Sequence, residues 1–340
     1  LVDATCTPAD ITFPTDLKLL NKAREKSEAI IDILHKPLKG RQRMPRTYRR
    51  VARKAFLTAA KSKRLSKTKM RKALRKQLGY LKRNLKTIEK LSIQTPLTVL
   101  RRRDFKNLLV IHEVYRQQQW LYDHGETRIE DRIVSVSQPH VRPIKRGKAG
   151  AATEFGAKIS VSLIDGASFV DRISWDAYNE SGDLKGQINS YRKRFGYYPE
   201  SVHADKIYRN QENRRFCKKR GIRLSGPPLG RPPADVEKQR EVKQQVCQDE
   251  RDRIPIEGKF GQGKRRFSLA RIMCKLSATS VTAITVAFLV MNLEKWLKGH
   301  FSALFFGSKT PFWALISERL RIVTCSSCLL YTSPSPRDHG

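Results

Sequence analysis

The sequence predicts a mixed α/β protein with a basic helical subdomain inserted into it. Three observations lead there. After Arg128, short alternating segments run first as a meander and then alternate with helices, the pattern of a mixed sheet. Before Arg128, apolar residues recur at helical spacing inside an almost acid-free stretch. The apolar share, 39%, supports a buried core and excludes wholesale disorder. The 340 residues carry 69 Lys and Arg against 32 Asp and Glu, a net charge of +37. Such an excess implies a polyanionic partner, because each cation laid on a phosphate releases counterions.

The elements follow in order. The chain opens Leu1-Val2-Asp3 without an initiator Met, so a truncated copy is expected, with Leu1 and Val2 left of a first strand that ends at Asp3. From Lys36 to Lys106 there are 26 Lys and Arg and two acids, Glu89 and Asp104. Within it Leu74, Leu78, Leu81, Leu85 and Ile88 make one apolar seam, expected to pack on a helix around Val51 to Leu65. The other faces of that seam helix carry Arg71, Lys72, Arg75, Lys76, Lys82, Arg83 and Lys86, a surface suited to nucleic-acid phosphates. Ile133 to Ser137, Lys158 to Leu163 and Ser168 to Ile173 read as strands, the last two joined in a hairpin through Gly166. Leu184 to Phe195 reads as a helix stopped by Gly196, and Glu200 to Asp205 as a short buried strand running into an acid. Asn210 to Arg220 is a basic helix, Ile222 to Leu224 a strand, and Pro227 to Pro233 a loop. Ile254 to Met273 and Thr279 to Leu297 read as two further helices.

Several chemistries are excluded. Six scattered cysteines make no disulfide framework and fit a reducing cytoplasm. Cys325-x-x-Cys328 supplies two of the four ligands that a zinc site needs. The apolar run Val281 to Met291 is about half of the roughly 20 residues a membrane span requires. It reads as a core helix, and no membrane partner is expected. His203 has no nucleophilic Ser or Cys in an elbow context, so it reads as a strand residue rather than a hydrolase base.

Three acids stand out by context: Asp3 after an apolar pair, Asp205 at the end of its strand, and Glu257 at the start of a helix just after Pro255. Carboxylates at the rim of a sheet repel one another unless they shift pKa or hold divalent cations.

The residues around these acids resemble the motifs of bacterial insertion-sequence transposases of the DDE class, in the group typed by insertion sequence five. Leu1 to Glu25 is similar to their first-aspartate region, His203-Ala-Asp-Lys-Ile-Tyr-Arg-Asn to the second, and Arg253-x3-Glu257-x6-Lys264 to the glutamate motif. Leu276 to Leu293 is similar to their last helix. A tyrosine that often opens the glutamate motif is replaced by Glu250. The resemblance implies an RNase H-like mixed sheet flanked by helices, in which Asp3, Asp205 and Glu257 hold two Mg²⁺ ions, or Mn²⁺ in their place. It implies cleavage of transposon ends and strand transfer into target DNA by a homodimer in the bacterial cytoplasm, at the nucleoid. Arg253 and Lys264 are expected to grip end DNA carrying terminal inverted repeats. Residues 1–35 then start the catalytic core, 36–128 form the basic insertion, and 129–300 complete the core. Residues 301–323 are an extension, and 324–340 resemble translated sequencing-adapter read-through and are expected to be non-native. The alternative is an inactive relic or a non-enzymatic basic nucleic-acid-binding protein.

Overall fold

The computed structural model describes residues 1–306 apart from 63, 146–152, 229 and 231–234. Most of the proline loop at 227–233, both residues of the CxxC pair and the extension from 307 onward lie outside the described residues.

The sheet is built on β3 (Thr153–Ile164). β1 (Val2–Pro8) pairs with it antiparallel, with Asp3 opposite Val161. β4 (Ala167–Ser174) and β2 (Arg142–Lys145) share its other edge. The β3–β4 turn places Asp165 and Gly166 at φ of 47° and 72°, the two-residue turn whose twist matches that of paired strands. Asp171 is the extra residue of a bulge, since Ser160 faces Arg172 while Val161 faces Val170. β5 (Ser201–Val202) and β6 (Arg223–Leu224) pair in parallel. Alternate N–H groups of a strand point to opposite edges, and Val2 N, turned away from β3, donates to His203 O at 3.0 Å. That bond sets β1 beside β5.

Helices cover both faces. α7 (Val236–Arg266) and α8 (Ser277–Phe306) bury Ile256, Phe260, Ile284, Phe288 and Met291 against Ala157, Ile159, Val161 and Leu163, the alternate residues of β3. α5 (Leu184–Phe195) and α6 (Gln211–Lys218) enclose a second core with Val2, Val202 and Tyr208. A separate helical core joins α1 (Asp16–His35), α3 (Lys67–Gln94) and α4 (Arg102–His124) through Leu20, Ile31, Leu81, Leu85, Ile88 and Ile111.

Five sequence expectations are corrected. The α3 seam packs chiefly on α1, because α2 (Arg49–Lys61) buries only Ala52 and leaves its larger apolar side chains Val51 and Leu57 exposed. Ile133 to Ser137 is not a strand: Ile133 and Val136 join the helical core, and the Gln117 side chain takes the Ile133 N–H at 2.9 Å in place of a neighbouring strand. β1 continues to Pro8 rather than stopping at Asp3, its polar Thr5 and Thr7 being buried between strands. α7 begins at Val236, not at Pro255, and ends at Arg266, where Phe267 and Ser268 break the helix. Pro255 lies inside it and withholds one N–H from the Arg251 carbonyl, a loss the helix tolerates at an exposed position. α8 is also longer than expected. Its segment Ser277–His300, 24 residues, has the length and composition to cross a membrane, while its inward face, Ser280, Ile284, Phe288 and Met291, is buried.

Candidate active site

Each of the three acids stands on a different element. Asp3 is the second residue of β1, half-buried, with its Oδ1 taking the Ala4 N–H at 2.8 Å. Asp205 follows β5 and caps the short turn Lys206–Tyr208, accepting from Lys206 N at 2.7 Å. Glu257 lies in the middle of α7, one residue from the buried Ile256 that anchors this helix on β3. The Val2–His203 bond draws β1 alongside β5, which ends at Val202 rather than running on to Asp205 as expected, the acid following three residues later.

Arg253 joins two of the acids. Its guanidinium reaches Asp205 at 3.6 Å and, one helical turn along, Glu257 at 3.1 Å. Asp205 and Glu257 are each about half exposed, at 52% and 57%, so the pair opens to solvent above a half-buried Arg253. Asp3 completes the group electrostatically. Its carboxyl is pushed from 3.8 to about 6, first by burial and then by the negative Asp205 and Glu180, against the Ala4 N–H and Arg253. Hard oxygen donors gathered around one guanidinium, one of them a carboxyl that burial keeps partly protonated, suit a divalent cation. Lys264 lies half-buried in the last turns of α7.

The shift of Asp3 sets a pH dependence. A folded carboxyl near 6 against 3.8 means that the folded state holds this proton more tightly. Its contribution is therefore complete below about pH 4 and lost as pH rises through 6, by up to about 3 kcal/mol. Urea titrations of metal-free protein at pH 5 and pH 7 are expected to differ more for the parent than for Asp3→Asn. Equal differences would show that ionising Asp3 carries no folding cost.

Beside the acids lies a second grouping that the sequence did not single out. His203, Asp249 and Asp252 bring one ligand atom each within 4.8 Å of one another. Asp249 is buried and saturated: Arg223 grips both its oxygens at 2.9 Å, and Gly226 N and the Gln245 amide donate at 3.0 and 3.1 Å. Burial alone would raise its carboxyl, but these donors outweigh burial and hold it below the usual carboxylate range. With all its lone pairs taken, Asp249 has nothing left to offer a metal. It acts as a strut instead, tying α7 to β6 and facing His203 at 3.7 Å.

Residues 202–294 match the transposase DDE domain. The match runs from β5 into α8 and takes in Asp205, Arg253, Glu257 and Lys264. It supports a DDE transposase, a class that acts on DNA and depends on divalent metal. No curated protein and no solved structure matches the chain.

The basic residues of α3 lie away from these acids. Arg71, Lys72, Arg75, Lys76 and Arg83 are exposed on the outer faces of the helix. Arg71 stacks over Tyr122 at 4.3 Å, and Arg83 over Tyr48 at 5.1 Å. Two further residues escaped sequence reasoning. Asp249 had no local signal, since its partner Arg223 lies on another element. Tyr208, three residues after Asp205, is fully buried, its hydroxyl pKa raised by burial and by the nearby Asp3 and Glu180.

Proposed function

We propose that this protein is an insertion-sequence transposase of the DDE class, with Asp3, Asp205 and Glu257 as its catalytic carboxylates. The observation that carries the reading is the guanidinium of Arg253 held between Asp205 and Glu257, acids from separate elements that already share one cation. Helices on both faces and the strand succession β4, β3, β1, β5, β6 support an RNase H-like core. The three acids would hold two Mg²⁺ ions, or Mn²⁺, which when bound supply activation of an attacking oxygen and stabilisation of a leaving one at phosphorus.

The chain's own residues do the rest. Asp3, half-buried in β1, gives the cluster a fixed floor, and Arg253 orients the two exposed acids. Arg253 and Lys264 meet the phosphates of the element's terminal inverted repeats, while Arg71, Lys72, Arg75, Lys76 and Arg83 extend the contact along the duplex. Hydrolysis at the element's end, and attack of the freed 3′-hydroxyl on target DNA, are both in-line displacements at phosphate. A homodimer would hold two ends in one synaptic complex in the bacterial cytoplasm, with residues 36–128 as the inserted DNA-binding platform.

The deciding experiment uses a labelled duplex ending in the element's inverted repeat, incubated with protein and Mg²⁺. Asp205→Asn and Glu257→Gln are each expected to lower cleavage by about 10³-fold, about 4 kcal/mol of barrier, while duplex binding stays within about twofold. Cleavage undiminished in either variant overturns the assignment. Binding without cleavage by the parent chain would favour the inactive relic.

A further inference from the structure

The first half of α7 has no evident reason to be there. No residue from Val236 to Gln248 is buried: Val242 and Val246, on the side that turns inward at Asp249, are half-covered, and the rest of these more than three turns is exposed and mostly polar. A largely polar helix with so little burial among the described residues is marginal in water, and the Asp235 cap and the acidic first turn at Glu237 support this one locally.

One face of this arm differs from the others. Arg240, Lys243, Gln244, Cys247, Gln248 and Arg251 line a shallow, open concavity, and all six are exposed. By 100° steps, Glu241 and Glu250 fall about a quarter turn to either flank, and Asp249 points to the opposite side, into the protein. Among the described residues Arg240, Lys243 and Arg251 pair with no carboxylate, although many other arginines here do. From Arg240 to Arg251 the face runs about 16 Å, the length of about five phosphates on one strand of a duplex. Its end at Arg251 lies about 9 Å along α7 from Glu257 and, by the same 100° steps, about a third of a turn round it.

We propose that this face is a phosphate track for duplex DNA, separate from the basic platform of α3, that leads the duplex along α7 to the acids. The cations neutralise phosphates, the two glutamines reach sugar and phosphate oxygens, and the buried strut at Asp249 fixes the arm's direction. Its functional meaning rests on the reading of Glu257 as a catalytic acid, but its occupancy by DNA does not.

Two measurements on the full chain test it, both with a 40-base-pair duplex of arbitrary sequence as the probe. The first is the salt dependence of binding in Arg240→Gln/Lys243→Gln/Arg251→Gln, where glutamine keeps helix propensity. Loss of three phosphate contacts is expected to lower the slope of log K against log salt by about 2 to 3, with circular dichroism unchanged. The second uses Cys247, which sits mid-track and exposed as a free thiol. Saturating duplex is expected to slow its alkylation by N-ethylmaleimide about tenfold or more, read at that peptide by mass spectrometry. An unchanged slope or an unprotected Cys247 overturns the proposal. The Glu257→Gln chain, which should not cleave, is expected to keep both the slope and the protection. A parent chain that never cleaves DNA would therefore refute the transposase reading and leave this one to its own two readouts.

Discussion

Replacing Asp249 by alanine is expected to destabilise the protein by about 2–4 kcal/mol and to abolish cleavage even though every proposed catalytic residue remains. The carboxylate is 5% exposed and takes two bonds from Arg223, one from Gly226 N and one from Gln245. Arg223 is 44% exposed and can turn to water once released, which keeps the loss below that of a fully buried pair. The Gly226 N–H has no such freedom. The functional loss follows from geometry: Asp249 lies two turns before Glu257 on α7 and binds β6, whose neighbour β5 leads to Asp205. Without it the helix keeps only the longer 3.6 Å Arg253–Asp205 contact to that edge among the described residues, and the reach of Arg253 to Asp205 is expected to be lost. Urea midpoints and cleavage rates measure the two effects. A midpoint equal to the parent's would rule out the strut, and Asp249→Asn should recover part of the stability because the amide keeps the shape and some of the acceptors.

Gly156→Ala is expected to be at least as damaging, at about 3 kcal/mol or more. Gly156 faces Pro8 on one side and Arg142 on the other, at the point where β1, β2 and β3 meet. A Cβ there would overlap the Thr7 carbonyl oxygen outright and lie 2.8 Å from Thr7 C and Pro8 Cα. All of these are backbone atoms, so no rotamer change relieves the clash and the end of β1 must part from β3. Because Asp3 is on β1, cleavage should fall with stability. Amide exchange should accelerate first from Thr5 to Thr7 and at Ala9, and an unaltered exchange pattern would contradict this account.

Much of this was legible in the sequence. The α3 seam, the α5 stop at Gly196 and the Asp165-Gly166 turn are local patterns, set by residues within a turn or two of one another, and the fold reproduces them. Where the reading went wrong, two local signals competed. Pro255 is a good first-turn residue, so it suggested a helix start, yet the 19 residues before it are strong helix formers capped by Asp235 and simply run through it. Ile133 to Ser137 alternates like a strand, but its apolar residues join the helical core and its Ile133 N–H goes to Gln117, so it packs as an irregular segment on α4. The seam of α3 announced a partner without naming it, and α1 won over α2 because it offers the larger apolar face.

The sequence by itself determined where the charge lies and which motifs the chain carries: the basic stretch with its two acids and the order of Asp3, Asp205, Arg253, Glu257 and Lys264 are properties of the string. Only the tertiary structure decided which of these residues meet. Arg253 between two acids, Asp249 as their strut and the bare basic face of α7 all depend on bonds such as Val2 N to His203 O, which join residues some two hundred positions apart. Periodicity is imposed by near neighbours along the chain and leaves a local trace. Convergence is imposed by the pairing of distant edges and leaves none.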